Sequence, residues 1–121
     1  MRDHTKLRAF SMADDLTIEV YKHSRCFPRE ERYGLQSQVR RAAVSVTANI
    51  VEGCARSSQA EYVRFVEIAY GSARELQYEI TLCERLGYFE SSSARLLNAM
   101  CASLTKTISA LLQSLKMKKT C

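Results

Sequence analysis

The chain has 121 residues, 46% hydrophobic and 26% charged, with a formal net charge of +5; this is the size and mixture of one domain over residues 1–121, not of two domains or a disordered chain. One proline, four glycines and no tryptophan in a strongly periodic sequence favour helices over a turn-rich β fold. No apolar run approaches the roughly 20 residues that cross a bilayer, and the start MRDHTKLRAF lacks the apolar core of a signal peptide, so a cytoplasmic location away from membranes is expected.

Taken in chain order, residues 9–25 place Ala9, Met12, Ala13, Leu16, Val20 and His23 at spacings of three and four, one face of a helix. Phe27 and Pro28 end it, because proline disfavours the α conformation in the residue before it. After the connector REERYG a second helix runs over 35–52 and stops at Gly53, read as a C′ glycine. The third, over 58–86, opens on the capping box Ser58-x-x-Glu61. Its Tyr62, Val66, Ala69, Ala73, Leu76, Ile80 and Cys83 alternate spacings of four and three, and Gly87 closes it. The fourth, over 92–117, is capped by Ser91–Ser93 and continues the heptad with Leu97, Cys101, Leu104, Ile108, Leu111 and Leu115. Helices with a seven-residue apolar repeat pack nearly parallel or antiparallel, and short connections favour an all-α, antiparallel up-down-up-down four-helix bundle.

The second helix lacks an obvious water-facing side. Leu35, Val39, Ala42, Ala43, Val46 and Ile50 share one arc suited to the core, and Gln38, Arg41, Ser45, Asn49 and Glu52 form a polar stripe beside it. The remaining arc, Ser37, Arg40, Val44, Thr47, Ala48 and Val51, has one charge and two valines. A helix apolar or small nearly all round is usually buried, so this one is expected to meet another copy in a closed homo-oligomer. Arg41 and Glu52 lie three turns apart and need partners on a neighbouring helix or subunit. In the third helix, Ala69, Gly71, Ser72 and Ala73 read as a site of close helix packing, within or between subunits, since mid-helix glycine is destabilising by up to about 1 kcal/mol.

The stretches FPREERYGLQSQVRRAAVSVTANIVEG and EYVRFVEIAYGSARELQYEI, followed by LGY, resemble the four-helix-bundle proteins encoded in intervening sequences of bacterial 23S ribosomal RNA genes. The likeness covers roughly residues 10–115. It rests on Phe27 and Pro28, Tyr33 to Leu35, Gln38, Arg41, Ser45, Asn49, Glu52 and Gly53, Arg56, Gly71 and Ser72, and Glu75. Thr47 stands where that family often has proline, and Ala55 where it often has glycine. The resemblance implies a left-handed bundle assembled as a homopentamer. It also implies kinship with accessory proteins of diversity-generating retroelements, which bind reverse transcriptase and nucleic acid.

Chemistry is sparse. Charge runs unevenly: residues 1–56 hold 10 basic and 7 acidic side chains, 57–90 hold 3 and 6, and 91–121 hold 5 and none. Basic residues Arg25, Arg29, Arg32, Arg40, Arg41 and Arg56, with the tail Lys116, Lys118 and Lys119, suit RNA or another nucleic acid without any base-reading motif. Arg40, Arg41, Arg56 and the three lysines are the candidate contacts, the partner being RNA or a nucleic-acid-handling protein. A protein scaffold with no nucleic-acid role fits the same pattern. Five evenly spread cysteines without a Cys-x-x-Cys pair suit reduced thiols, with Cys83 and Cys101 in the core. His23 and Cys26 form a lone His-x-x-Cys, and Cys54 lies near Arg56, a neighbour that lowers a thiol pKa. Glu75 and Glu79 read as a solvated helix face. No catalytic residue, metal, cofactor or small-molecule substrate is expected.

Overall fold

The computed structural model describes residues 2–120, with side chains for residues 2–117. Asp3 accepts from Thr5 N and Thr5 Oγ1 and caps a 3-10 turn, His4–Lys6, ahead of α1, Arg8–His23. Lys22 and His23 in the last turn of α1 suit its negative end. A further 3-10 turn, Ser24–Cys26, leads to Phe27, which is extended as its proline neighbour requires. α2 spans Leu35–Cys54, α3 Gln59–Arg85 and α4 Ser91–Thr120; no strand occurs among the described residues.

The termini of these helices have identifiable causes. α2 has no N-cap side chain of its own; Glu31 reaches over the Arg29–Glu31 turn and accepts from Leu35 N at 2.9 Å. The other oxygen of Glu31 accepts from Tyr88 Oη at 2.9 Å, and Phe27 packs on the Tyr88 and Phe89 rings. The connector before α2 is thereby fastened to the α3–α4 turn. At the start of α3 the capping box forms as the sequence predicts, Ser58 Oγ accepting from Glu61 N at 3.1 Å. At its end Gly87 takes φ +83° while Gly87 N donates to Glu84 O and Tyr88 N to Cys83 O, a Schellman closure.

Gly53 departs from expectation. It does not stop α2, which continues through Cys54. It is buried, and a Cβ there would stand 3.0 Å from Phe65 Cβ and 3.2 Å from Tyr62 Cδ1. The glycine serves the close approach of α3, not a left-handed turn.

Cross-helix contacts run in opposite senses in each sequential pair. Thr17 meets Thr47 and Ala43 O, Arg40 reaches back to Tyr21 O and Gln36 to Ser24 O. Ser45 meets Ser72, with Gly53 against Tyr62 and Phe65; Cys101 donates to Ala73 O and Gln59 to Leu115 O. α1 also packs on α4, so the four helices enclose one core. Leu16 and Val20, Val39, Val46 and Ile50, Val66, Leu76 and Ile80, and Leu97, Leu104 and Ile108 are all fully buried there. Each such side chain contributes about 1.5–3 kcal/mol of transfer free energy. These are the positions of the apolar repeat, and Cys83 and Cys101 lie among them as small apolar groups.

Candidate functional site

The polar stripe of α2 divides into two kinds of residue. Ser45 Oγ lies 2.8 Å from Ser72 Oγ, and Asn49 Nδ2 donates to Ser45 O at 2.8 Å and to Ser45 Oγ at 3.1 Å. These half-buried groups bond across the α2–α3 seam. Gln38, Arg41 and Glu52 are exposed. Glu52 needs no other helix or subunit, because it pairs with Arg56 one turn later. Neither Gln38 nor Arg41 has a side-chain hydrogen bond or ion pair among the described residues.

Gln38 and Arg41 line an open groove of about 790 Å³ over this seam, together with Tyr21, Val44, Ser45, Ser72 and Glu75. Beside it two aliphatic side chains face outward, Val44 at 43% exposure and Ile68 at 41%. Ala48 and Gly71 are exposed as well. The small residues of α3 do not act together. Ala69 and Ala73 are wholly buried in the core, Ser72 sits in the seam, and Gly71 faces outward with nothing within 4 Å of where a Cβ would stand. Gly71 therefore serves no close crossing inside this chain.

Next to the groove-lining Glu75 lies a residue misread from the sequence. Glu79 is only 4% exposed, one turn beyond Glu75, and is no part of a solvated face. Burial, with Glu75 as hydrogen-bond and charge neighbour, pushes its carboxyl up to about 8. The seven-residue spacing from Ser72 to Glu79 is the signal that places both on the flank of α3 turned to α2.

The basic candidates fall into two separate places. Arg40 is a structural tie: Nε donates to Ser24 Oγ at 2.9 Å, Nη2 to Tyr21 O at 3.2 Å, and the guanidinium stacks on the Tyr21 ring. Fifteen residues on from Arg41, about 22 Å along the axis, Arg56 stacks on Phe65 and pairs with Glu52, leaving its buried Nε without a partner. Arg2, unnoticed in the sequence, joins it there: Nη1 donates to Arg56 O at 2.6 Å and the guanidinium covers Tyr62. Lys116 pairs with Glu67 at 3.0 Å. The side chains of Lys118 and Lys119 lie outside the described residues.

With this geometry in place, comparison with known proteins is informative. The family described as 23S rRNA-intervening sequence protein matches residues 5–110. The chain belongs to that family. A solved structure from Bacteroides thetaiotaomicron, a protein with unknown function from the S23 ribosomal protein family, is similar in fold. Its TM-score is 0.80 at 19% identity, over 87% of this chain and 95% of that one. No functionally curated protein matches.

Several family-like residues thus have structural work in this chain. Phe27 fastens the connector, Gly53 admits α3, and Ser45 and Ser72 bond across the seam. The remaining chemical candidates are structural too. His23 Nδ1 lies 2.8 Å from Ser93 Oγ and Nε2 3.4 Å from Glu19, tying α1 to α4, while Cys26 Sγ donates to His23 O. Cys54 is buried, and desolvation raises its thiol despite the hydrogen bond with Tyr62 and the charge of Arg2. Burial pushes Cys83 and Cys101 up to about 12, so they stay protonated. Among the described residues no three His, Cys, Asp or Glu side chains gather as a metal site, and no helix is long and apolar enough to cross a membrane.

Proposed function

We propose that this chain is a non-enzymatic, cytoplasmic assembly protein, an up-down-up-down bundle that joins copies of itself into a closed ring through the outer α2–α3 seam. The observation that carries this reading is Arg41, a guanidinium with no partner among the described residues, set in one groove with the outward-facing Val44. Arg is favoured at interfaces because it is weakly hydrated and presents five donors. Ala48 and Gly71 add little bulk to the same face, which suits close approach. Five copies is the number that the family resemblance implies. Native mass spectrometry of the wild type and of Val44→Glu tests the reading. A wild-type oligomer that Val44→Glu reduces to monomers supports it; a wild-type monomer at tens of micromolar overturns it.

The meeting of Arg2 with Arg56 favours a second role, contact with RNA or a nucleic-acid-handling protein at the opposite end of the bundle from Arg41. A ring repeats that end once per subunit, so weak phosphate contacts add by avidity. Arg56→Glu combined with Lys116→Glu, Lys118→Glu and Lys119→Glu should abolish RNA retention at low salt while leaving the oligomer intact. Protein partners that persist after nuclease treatment favour a protein scaffold instead.

A further inference from the structure

A carboxylate as buried as Glu79 needs donors, yet its Oε1 has none among the described residues. Its polar neighbour is another acid, Glu75, in hydrogen-bonding contact with it. Two ionised carboxylates only accept; a proton on one turns their contact into a hydrogen bond and leaves the pair a single negative charge. Of the other ionisable groups, Tyr21 of α1 lines the same groove as Glu75. Cys83 follows one turn later on α3 and stays neutral, with Glu31 from the connector acting on it from beyond. From α2, Arg41 stands across the groove that Glu75 lines.

We propose that Glu75 and Glu79 share one proton, and that this proton sets whether Arg41 is free to bind a neighbouring copy of the chain. The proposal rests on the self-assembly reading above. With the proton in place, Glu79 stays neutral under the seam and Arg41 is available outward. When the proton passes to solvent, two carboxylates one turn apart repel, and the added negative charge draws Arg41, which shares a groove with Glu75, toward the pair. No other bond changes. Arg41 is then withdrawn from the interface, and association weakens as pH rises. The position of Glu79 at about 8 puts this response between about pH 7 and 9.

Sedimentation velocity on the full chain, at about pH 6.5 and about pH 9, tests this with wild type and Glu79→Gln. Wild-type association should weaken by up to about tenfold per pH unit per interface through that range, the limit for one linked proton. Glu79→Gln should hold its low-pH association at both values. Glu75→Gln, at an exposed site, removes the like charge and should shift the midpoint to lower pH, which keeps the test open if Glu79→Gln fails to fold. An oligomer indifferent to pH, or variants that track the wild type, overturn the proton linkage alone. A monomer at both pH values overturns the assembly reading and this proposal with it.

Discussion

On the side of α2 that faces α1, Arg40 donates to Ser24 Oγ and Tyr21 O, Gln36 donates to Ser24 O, and Thr47 meets Thr17. On the side that faces α3, Ser45 and Asn49 are satisfied, but Arg41 and Gln38 stand open in the groove that Glu75 lines, and Glu75 adjoins the buried carboxyl of Glu79. Arg40 and Arg41 are adjacent in sequence and 100° apart on the helix, and that rotation alone separates a structural tie from an available contact. An unpaired cation in one groove with an acid whose neighbour is a buried carboxyl is an arrangement that folding by itself has no need of. The α1 side shows that this sequence satisfies its polar groups where nothing else is asked of them.

The largest expected break in this comparison comes from pH. Glu79 is raised from 4.5 to about 8 in the folded chain, so it favours folding most when both states are protonated. That stability is fully present below about pH 4.5, declines as the unfolded chain ionises, and is lost as pH rises through about 8. The loss is of the order of 5 kcal/mol. Chemical denaturation at about pH 5, 7 and 9 should show it in the wild type and not in Glu79→Gln. Equal pH profiles for the two proteins would mean that Glu79 is solvated in both states.

Next in size is the contrast between the two arginines. Arg40→Glu places a carboxylate against Ser24 and the Tyr21 carbonyl, where a donor is required, and should destabilise the fold by about 2 kcal/mol. Arg41→Glu touches no internal partner and should change fold stability by no more than about 0.5 kcal/mol, while removing self-association. Urea unfolding of both variants, read beside their sedimentation, separates the effects. Similar losses of stability for both would erase the distinction between the two sides of α2.

What the sequence made legible follows from period and length. The heptads of α3 and α4 and the core arc of α2 were readable because about twenty apolar side chains repeat the same signal. Single residues were harder. Ending α2 at Gly53 hid the pairing of Glu52 with Arg56, since that bond needs the helix to continue. A glycine near a helix end commonly marks a left-handed cap; here the close approach of Tyr62 and Phe65 requires it, and no local pattern reveals which helix will cross there. Glu75 and Glu79 have the i,i+4 spacing of a solvated pair, and the 20° steps that separate flank from surface exceed what spacing resolves. Arg2 reaching Arg56 joins residues 54 apart, a contact that only the packed chain brings about.

The smallest effect concerns the hydrogen-bonded part of the seam. Ser45 and Ser72 each lose a partner when the other is replaced by alanine, and Ser45 also accepts from Asn49. Ser72→Ala should therefore cost about 1 kcal/mol, and Ser45→Ala slightly more, because Asn49 loses an acceptor as well. Replacing both leaves no hydroxyl stranded, so the double variant should be less destabilised than the two singles combined, with a coupling of about 0.5–1 kcal/mol. A double-mutant cycle by urea denaturation measures this. Strict additivity would mean that the hydroxyls do not bond each other and that each is served by solvent in the groove. The seam would then lack that side-chain bond, and the contrast between its bonded and available parts would reduce to Arg41 alone.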